Sequence, residues 1–396
     1  MKTKGTRTGT PDVFGALSTE LDALRAADLY RTPRVFEGRA DRVVVKEGRE
    51  LVCFASNNYL GLTADEAVIR AASDAALRYG TGSGASRLVS GTTEAHVRLE
   101  EELALFKGTE AALLFGSGFA ANLGAITALM GPEDVIYTDR LNHASIIDGS
   151  RLSRARLEIY AHADAADLEA KLDGNRGRAR RHLIVTDGVF SMDGDLAPLP
   201  EILELAEAHD AWVLVDDAHG SGVIGPHGAG TADYYGVDSP RMIRLGTLSK
   251  AFGGEGGFVA GTADLVDYLR HKARSFVFST APSPATVATA REALRIVRTE
   301  PHRREKLRAN ADRLREGLRA LGFEVLDGPT PILPVMTGEP GRAVSLSKAL
   351  EERGVLAPAI RPPTVPEGTS RLRVTAMATH TNDDIDRALR AFGEVR

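Results

Sequence analysis

The sequence predicts an α/β protein with a mostly parallel central sheet flanked by helices, followed by a smaller α+β region. Three observations carry this. From about residue 65 to about residue 280, short apolar runs alternate with helical patterns. The runs are apolar at consecutive positions, as strands buried on both faces are. Two long charged helical patterns then intervene before short strands resume near the C-terminal end.

Taken in order, residues 1–10 are polar and small and read as a tail. A helical pattern spans residues 19–30, with Ser18 as its N-cap. Residues 43–45 and 51–54, joined across Glu47-Gly48, read as a β-hairpin. Strands are predicted at residues 111–115, 135–138, 157–160, 182–187, 211–216, 242–245 and 257–260. Helices are predicted at 285–298 and 302–321, and short strands at 323–326, 332–335 and 372–375. The Pro-rich stretch 361–366 cannot lie inside a helix and reads as a fixed, extended loop. The implied organisation is an N-terminal segment (1–55), a large domain (56–284) and a small C-terminal domain (285–396).

With 396 residues the chain exceeds one ordinary core. A hydrophobic fraction of 43% and a charged fraction of 26% are those of a globular chain. The net charge of -5 leaves no basic footprint, so no nucleic-acid partner is expected. No apolar run approaches the roughly 18 residues of a membrane helix, and no signal peptide is read, so neither membrane association nor export is expected. The single cysteine, Cys53, lies in an apolar run and reads as a buried small hydrophobe. It has no partner for an internal disulfide, which agrees with a reducing cytoplasm.

Four segments carry chemistry. In Leu245-Gly246-Thr247-Leu248-Ser249-Lys250-Ala251-Phe252-Gly253-Gly254, a lysine follows a strand and sits among small residues. Most lysines are solvated charges. Here glycines allow close backbone approach to a ligand, and a desolvated lysine becomes nucleophilic towards an aldehyde. In Val215-Asp216-Asp217-Ala218-His219, a buried strand ends in two carboxylates and a histidine. Strand carboxyl ends are where α/β sheets bind ligands, and a buried carboxylate needs a partner such as a protonated pyridine. Asp and His there lack companions at metal-ligand spacing, so no metal site is expected. Phe115-Gly116-Ser117-Gly118-Phe119-Ala120-Ala121-Asn122 leads from a strand through a Gly-rich turn into a helix start, which suits either a phosphate or a plain tight turn. His143, in Asn142-His143-Ala144-Ser145, is either structural or a ring that stacks on a flat cofactor. The Gly-rich run from Gly80 follows a helix rather than a strand, so it is a poor dinucleotide fingerprint and reads as a loop near the site.

With these segments in hand, the chain resembles the α-oxoamine synthases, fold-type I pyridoxal 5′-phosphate (PLP) enzymes that join an amino acid to an acyl-CoA and release CO2. The resemblance runs from about Leu17 to the C-terminal end. It rests on Ser56-Asn57-Asn58-Tyr59-Leu60-Gly61-Leu62, the Gly80 to Gly91 loop, Asn142-His143-Ala144-Ser145-Ile146-Ile147-Asp148-Gly149, Asp187-Gly188-Val189-Phe190-Ser191-Met192-Asp193-Gly194-Asp195 and the two segments around Asp216 and Lys250.

The resemblance implies roles. Lys250 matches the Schiff-base lysine and general base, and Asp216 the carboxylate on the pyridine nitrogen. His143 matches the stacking ring, His219 the group on the phenolic oxygen, and Ser191 a further polar contact. Gly118, Phe119 and Thr247 match phosphate contacts. Ser279 and Thr280 match a phosphate contact that one subunit supplies to the other, which implies a homodimer. Arg373 matches the clamp on the substrate carboxylate, with Asn57 and Thr364 on the substrate side. Within the family, Ala359-Ile360-Arg361-Pro362-Pro363-Thr364-Val365-Pro366 looks most like the branch that condenses L-alanine with pimeloyl-CoA for biotin. The alternatives are glycine with acetyl-CoA, another acyl donor, or a catalytically silent partner subunit. The order Phe278-Ser279-Thr280-Ala281-Pro282-Ser283-Pro284 departs from the family's usual pattern at the substrate wall. Lys250, Asp216 and His219 argue against silence.

Overall fold

The computed structural model describes residues 14–26, 30 and 32–396. The N-terminal tail expected at 1–10 and residues 27–29 of the first predicted helix lie outside them. That helix spans Gly15–Ala26, so it begins before the predicted start, places Ser18 inside rather than at the cap, and stops short of Tyr30. The physical reason is the apolar stripe Leu17, Leu21 and Leu24, whose first member needs a helical turn around it. All three are exposed, and no residue of this helix is buried.

The predicted hairpin forms from β1 (Val43–Lys46) and β2 (Arg49–Cys53). Its two-residue turn, Glu47-Gly48, has positive φ at both positions, 52° and 71°. That geometry matches the twist of paired strands and favours glycine at the second position.

The seven predicted strands of the middle block all form: β3 (Ala111–Phe115), β4 (Val135–Asp139), β5 (Arg156–Tyr160), β6 (His182–Asp187), β7 (Ala211–Asp216), β8 (Met242–Thr247) and β9 (Gly257–Gly261). They make one sheet in the order β3-β9-β8-β7-β6-β4-β5. Only β9 runs against its neighbours; the other pairings are parallel. Strand alternation divides the side chains between two cores. Ile136, Leu183, Val185 and Leu214 pack with helix Gly118–Leu129. Val135, Tyr137, Ile184, Val213 and Val215 pack with helices Ala165–Gly174 and Leu199–Ala208 on the other face. Both faces are therefore covered, which accounts for the unbroken apolar runs in the sequence.

The two long helices follow at Pro284–Thr299 and His302–Ala320. Beyond them, β10 (Ile332–Gly338), β12 (Ala359–Ile360) and β13 (Ser370–Thr375) form an antiparallel sheet centred on β13, while β11 (Val355–Leu356) joins the hairpin alongside β2. The strand predicted at 323–326 does not form. Only an isolated bridge, Val325 to Val335, marks its place beside β10. Pro334 has no N–H to give, so a ladder cannot propagate along that edge. The stretch 361–366 contains a turn, closed by Thr364 N–H donating to the Arg361 carbonyl (3.0 Å), rather than a fully extended loop. Cys53 is buried, as the sequence predicts. Among the described residues, no helix is long and apolar enough to cross a membrane.

Candidate active site

The site is built from strand ends. β4, β6, β7 and β8 are parallel neighbours, so their carboxyl ends open on one edge of the sheet. β7 ends at Asp216, β6 at Asp187, and Lys250 follows β8 by three residues. Burial lowers the Lys250 amine to about 8, against the opposing pull of Asp216 and Asp187. Burial raises Asp216, while Lys250, Asn122 and the Ala218 N–H oppose it. Asp187 is pushed well above the usual carboxylate range by burial and then by the charge of Asp216. An acid, a second acid and a lowered amine therefore share one buried field, the setting in which proton-transfer groups are found.

Asp216 accepts from Asn122 Nδ2 at 2.6 Å and from Ala218 N at 2.9 Å. The other Asn122 Nδ2 hydrogen goes to Ser145 Oγ at 2.9 Å, and Ser145 Oγ lies 2.7 Å from His143 Nδ1. Ser145 N also donates to that nitrogen (3.2 Å), so His143 caps helix Ala144–Ser153 through an unprotonated Nδ1. Burial lowers the His143 pKa and keeps the ring neutral. His143 N donates to Asp187 (2.9 Å), while Asn142 bonds Asp187 N and the Val185 carbonyl, both at 2.8 Å. The turn after β4 is thus stapled to the end of β6, and His143 is held beside Asp216.

His219 lies in the turn after β7 and is buried. That turn is anchored by Asp217, which accepts from Thr231 N (3.0 Å) and from the buried Lys107 ammonium (3.3 Å). Burial, and then the nearby cations Lys250 and Arg373, hold the His219 pKa well below its ordinary value. Its Nδ1 is 2.6 Å from the Tyr59 hydroxyl, which also accepts from Arg373 Nη2 at 3.3 Å. Arg373 Nε donates to the Ser191 carbonyl. Arg371, two residues earlier on β13, is neutralised by Asp193. Among the described residues no carboxylate pairs with Arg373, so its charge is left uncompensated. Tyr59 Oη reaches Asn57 Oδ1 at 3.3 Å, which brings Asn57 into the same cluster.

Gly118 and Phe119 occupy the first turn of helix Gly118–Leu129, capped by Ser117, whose Oγ accepts from Ala120 N at 3.0 Å. Their own N–H groups have no acceptor among the described hydrogen bonds, as the first turn of a helix requires. Close approach fixes glycine nearby: a Cβ on Gly257 would lie 2.5 Å from Gly118 N. Thr247 is buried behind this turn, its Oγ1 donating to the Gly256 carbonyl (2.9 Å) and lying 2.8 Å from Ser249 Oγ. Ser279 and Thr280 are exposed on an arm bridged to the Gly80–Gly91 loop through Ser86 and Thr280. Thr364 is exposed and shares no described contact with the Lys250 cluster.

Sequence reasoning singled out neither Asn122, Tyr59 nor Asp187 as functional groups. All three lie inside the quoted segments, Asn122 one turn into the helix that begins at Gly118. Their signal was a polar residue where the pattern demands an apolar one; only packing shows what each touches.

The arrangement fits PLP on its own terms. Asp216 receives two neutral donors and, among the described residues, no hydrogen bond from a cation, leaving it suited to a pyridinium. The open helix N-terminus suits a phosphate, and the lowered Lys250 suits an aldehyde.

Residues 49–392 match the model of the aminotransferase class I and II family. The chain is 51% identical to the 8-amino-7-oxononanoate synthase of Thioalkalivibrio sulfidiphilus, over 95% of this chain and 96% of that one. It is 49% identical to the enzyme of the same name from Exiguobacterium sibiricum, over 96% and 98%. A serine palmitoyltransferase from S. paucimobilis, solved with a bound PLP–myriocin aldimine, superposes with a TM-score of 0.90 at 33% identity, over 96% of this chain and 97% of that one. The chain therefore belongs to the aminotransferase class I and II family, as an α-oxoamine synthase similar to the 8-amino-7-oxononanoate synthases.

Proposed function

We propose that this protein is a PLP-dependent acyltransferase that condenses L-alanine with pimeloyl-CoA, giving 8-amino-7-oxononanoate, CoA and CO2. The observation that carries the chemistry is the convergence of Lys250, Asp216 and an uncompensated Arg373 at the carboxyl edge of the sheet. The product follows the relatives named 8-amino-7-oxononanoate synthase, which share about half of the sequence over nearly its whole length, and the substrate pair follows from the family resemblance.

When bound, the cofactor supplies an aldehyde for covalent attachment and a ring that takes up the electron pair left at the substrate Cα. The chain's residues do the rest. Lys250 would hold the cofactor through its amine. With the substrate amine in its place, the Lys250 Nζ would take the Cα proton, which an amine lowered to about 8 can do near neutral pH. Asp216 would hold the pyridine nitrogen protonated, with Asn122 and Ala218 fixing its two oxygens. His143 would cover the ring and His219 would donate to the phenolic oxygen. The first-turn N–H groups of Gly118 and Phe119 would take the phosphate, with Thr247 behind them. Arg373 would hold the substrate carboxylate, beside Asn57 and the Ser191 loop. It thereby orients the carboxylate that later leaves as CO2.

The same reading makes the enzyme a homodimer in which Ser279 and Thr280, exposed on their own chain, would reach the phosphate held by the partner subunit. It assigns Thr364 to the substrate entrance, residues 56–284 to the cofactor domain and 285–396 to the small domain. We place the protein in the cytoplasm, in line with its one buried cysteine. The test is release of CoA thiol by PLP-loaded protein offered L-alanine or glycine, each with pimeloyl-CoA or acetyl-CoA. Fast release with L-alanine and pimeloyl-CoA is expected. Release only with glycine and acetyl-CoA would overturn the substrate assignment.

A further inference from the structure

We propose that the Tyr59 hydroxyl is a positioning group that fixes the tautomer of His219 and braces the Arg373 guanidinium, so that the cofactor side and the carboxylate side of the site share one oxygen atom. This rests on the reading above for the roles of His219 and Arg373, but its geometry stands in the chain alone.

Tyr59 is fully buried, on the loop that leaves the N-terminal hairpin. Its Oη lies 2.6 Å from His219 Nδ1, 3.3 Å from Arg373 Nη2 and 3.3 Å from Asn57 Oδ1. An arginine only donates, so Tyr59 Oη must accept from Arg373. The hydroxyl has a single proton left to give. Its closest acceptor is His219 Nδ1, by 0.7 Å over Asn57 Oδ1 (3.3 less 2.6 Å). A neutral imidazole whose Nδ1 accepts must carry its proton on Nε2. Burial and the cations Lys250 and Arg373 keep the ring neutral, and burial keeps the Tyr59 proton in place. His219 Nε2 has no partner among the described hydrogen bonds, so its N–H is free to donate to a ligand oxygen.

The same hydroxyl fixes Arg373. With Nε on the Ser191 carbonyl and Nη2 on Tyr59, the guanidinium is held at two points. Nη1 has no described partner and is left for a carboxylate. Neither group needs to search for its orientation when substrate arrives.

Heteronuclear NMR of the histidine ring nitrogens in the full-length apo protein tests this, with His219→Gln identifying the signal. The wild type is expected to show one neutral tautomer, Nδ1 bare and Nε2 protonated. Tyr59→Phe keeps the ring in the core and removes the donor, and is expected to turn His219 to a mixture or to the other tautomer. In the PLP-loaded variant the cofactor absorbance should shift while capture by Lys250 persists. KM for the amino acid should rise about three- to tenfold, the size of one hydrogen bond. A wild-type His219 protonated on Nδ1, or a Tyr59→Phe spectrum identical to wild type, overturns the proposal. If the variant does not fold, the wild-type tautomer decides it alone. An Nε2-protonated His219 in a protein that turns over no acyl-CoA would overturn the proposed reaction and leave the Tyr59 linkage standing.

Discussion

Asp187 and Asp216 stand side by side at the carboxyl ends of β6 and β7, paired in register across the parallel ladder. Both are buried, and the Asp187 carboxyl is pushed well above its ordinary range, first by burial and then by Asp216. A raised carboxyl pKa means that the folded apo protein holds a proton which the unfolded chain releases above about pH 4. Stability contributed by that proton is present at low pH and lost as pH rises through the folded value. Asp187→Asn keeps an acceptor for His143 N and removes the charge. Its apo form should lose less stability than wild type as pH rises, read from urea midpoints. Equal slopes would show that Asp187 is not the group responsible.

Lys250 must be neutral to attack an aldehyde. With its pKa lowered to about 8, capture of PLP by the apo protein should accelerate through that pH and then level off. Lys250→Ala should retain the fold and lose both turnover and the borohydride-fixable chromophore. Persisting wild-type activity in that variant contradicts the whole mechanism.

Among the described residues Arg373 has no carboxylate partner, whereas Arg371 is paired with Asp193. Arg373→Ala should raise KM for the amino acid about ten- to a hundredfold, the scale of a charge-assisted hydrogen bond, with PLP affinity nearly unchanged. Steady-state kinetics beside a PLP titration read both quantities. Equal losses in the two would remove the clamp role.

His162 sits between two carboxylates, 3.1 Å from Asp139 and 2.9 Å from Asp195, at the base of the loop that carries Ser191. Burial opposes its protonation, but hydrogen bonds to Asp139 and Asp195 prevail and raise its pKa to about 10. A raised histidine pKa contributes stability that is complete below its unfolded value of about 6.5 and lost as pH climbs through about 10. His162→Gln should therefore unfold more easily than wild type near pH 6, and the gap should close above pH 10. A gap independent of pH would assign the loss to packing against Phe190, whose ring centroid is 4.4 Å away.

Much of this is legible in the sequence. The seven strands of the central sheet stood out because both of their faces are covered, so the apolar runs are unbroken. The expectation failed where a short apolar run met a proline on its neighbour, at residues 323–326, and where the first helix began a turn earlier than its polar cap candidate. Local pattern carries no information on what lies across a strand, so Pro334 could not be anticipated as the neighbour of Val325.

The sequence by itself determined the chemistry on offer: a lysine among glycines, an acid at the end of an apolar strand, and histidines beside turns. These are local features, set by residue type and spacing. The tertiary structure alone decided their company. Asn122 bridges Asp216 to Ser145, and Tyr59 joins His219 to Arg373, the latter 314 positions from Tyr59 along the chain. Such contacts depend on which strands become neighbours and on which face each side chain emerges. The physical reason is that protonation states follow from burial and from charges brought near by folding, neither of which is written in the spacing of residues.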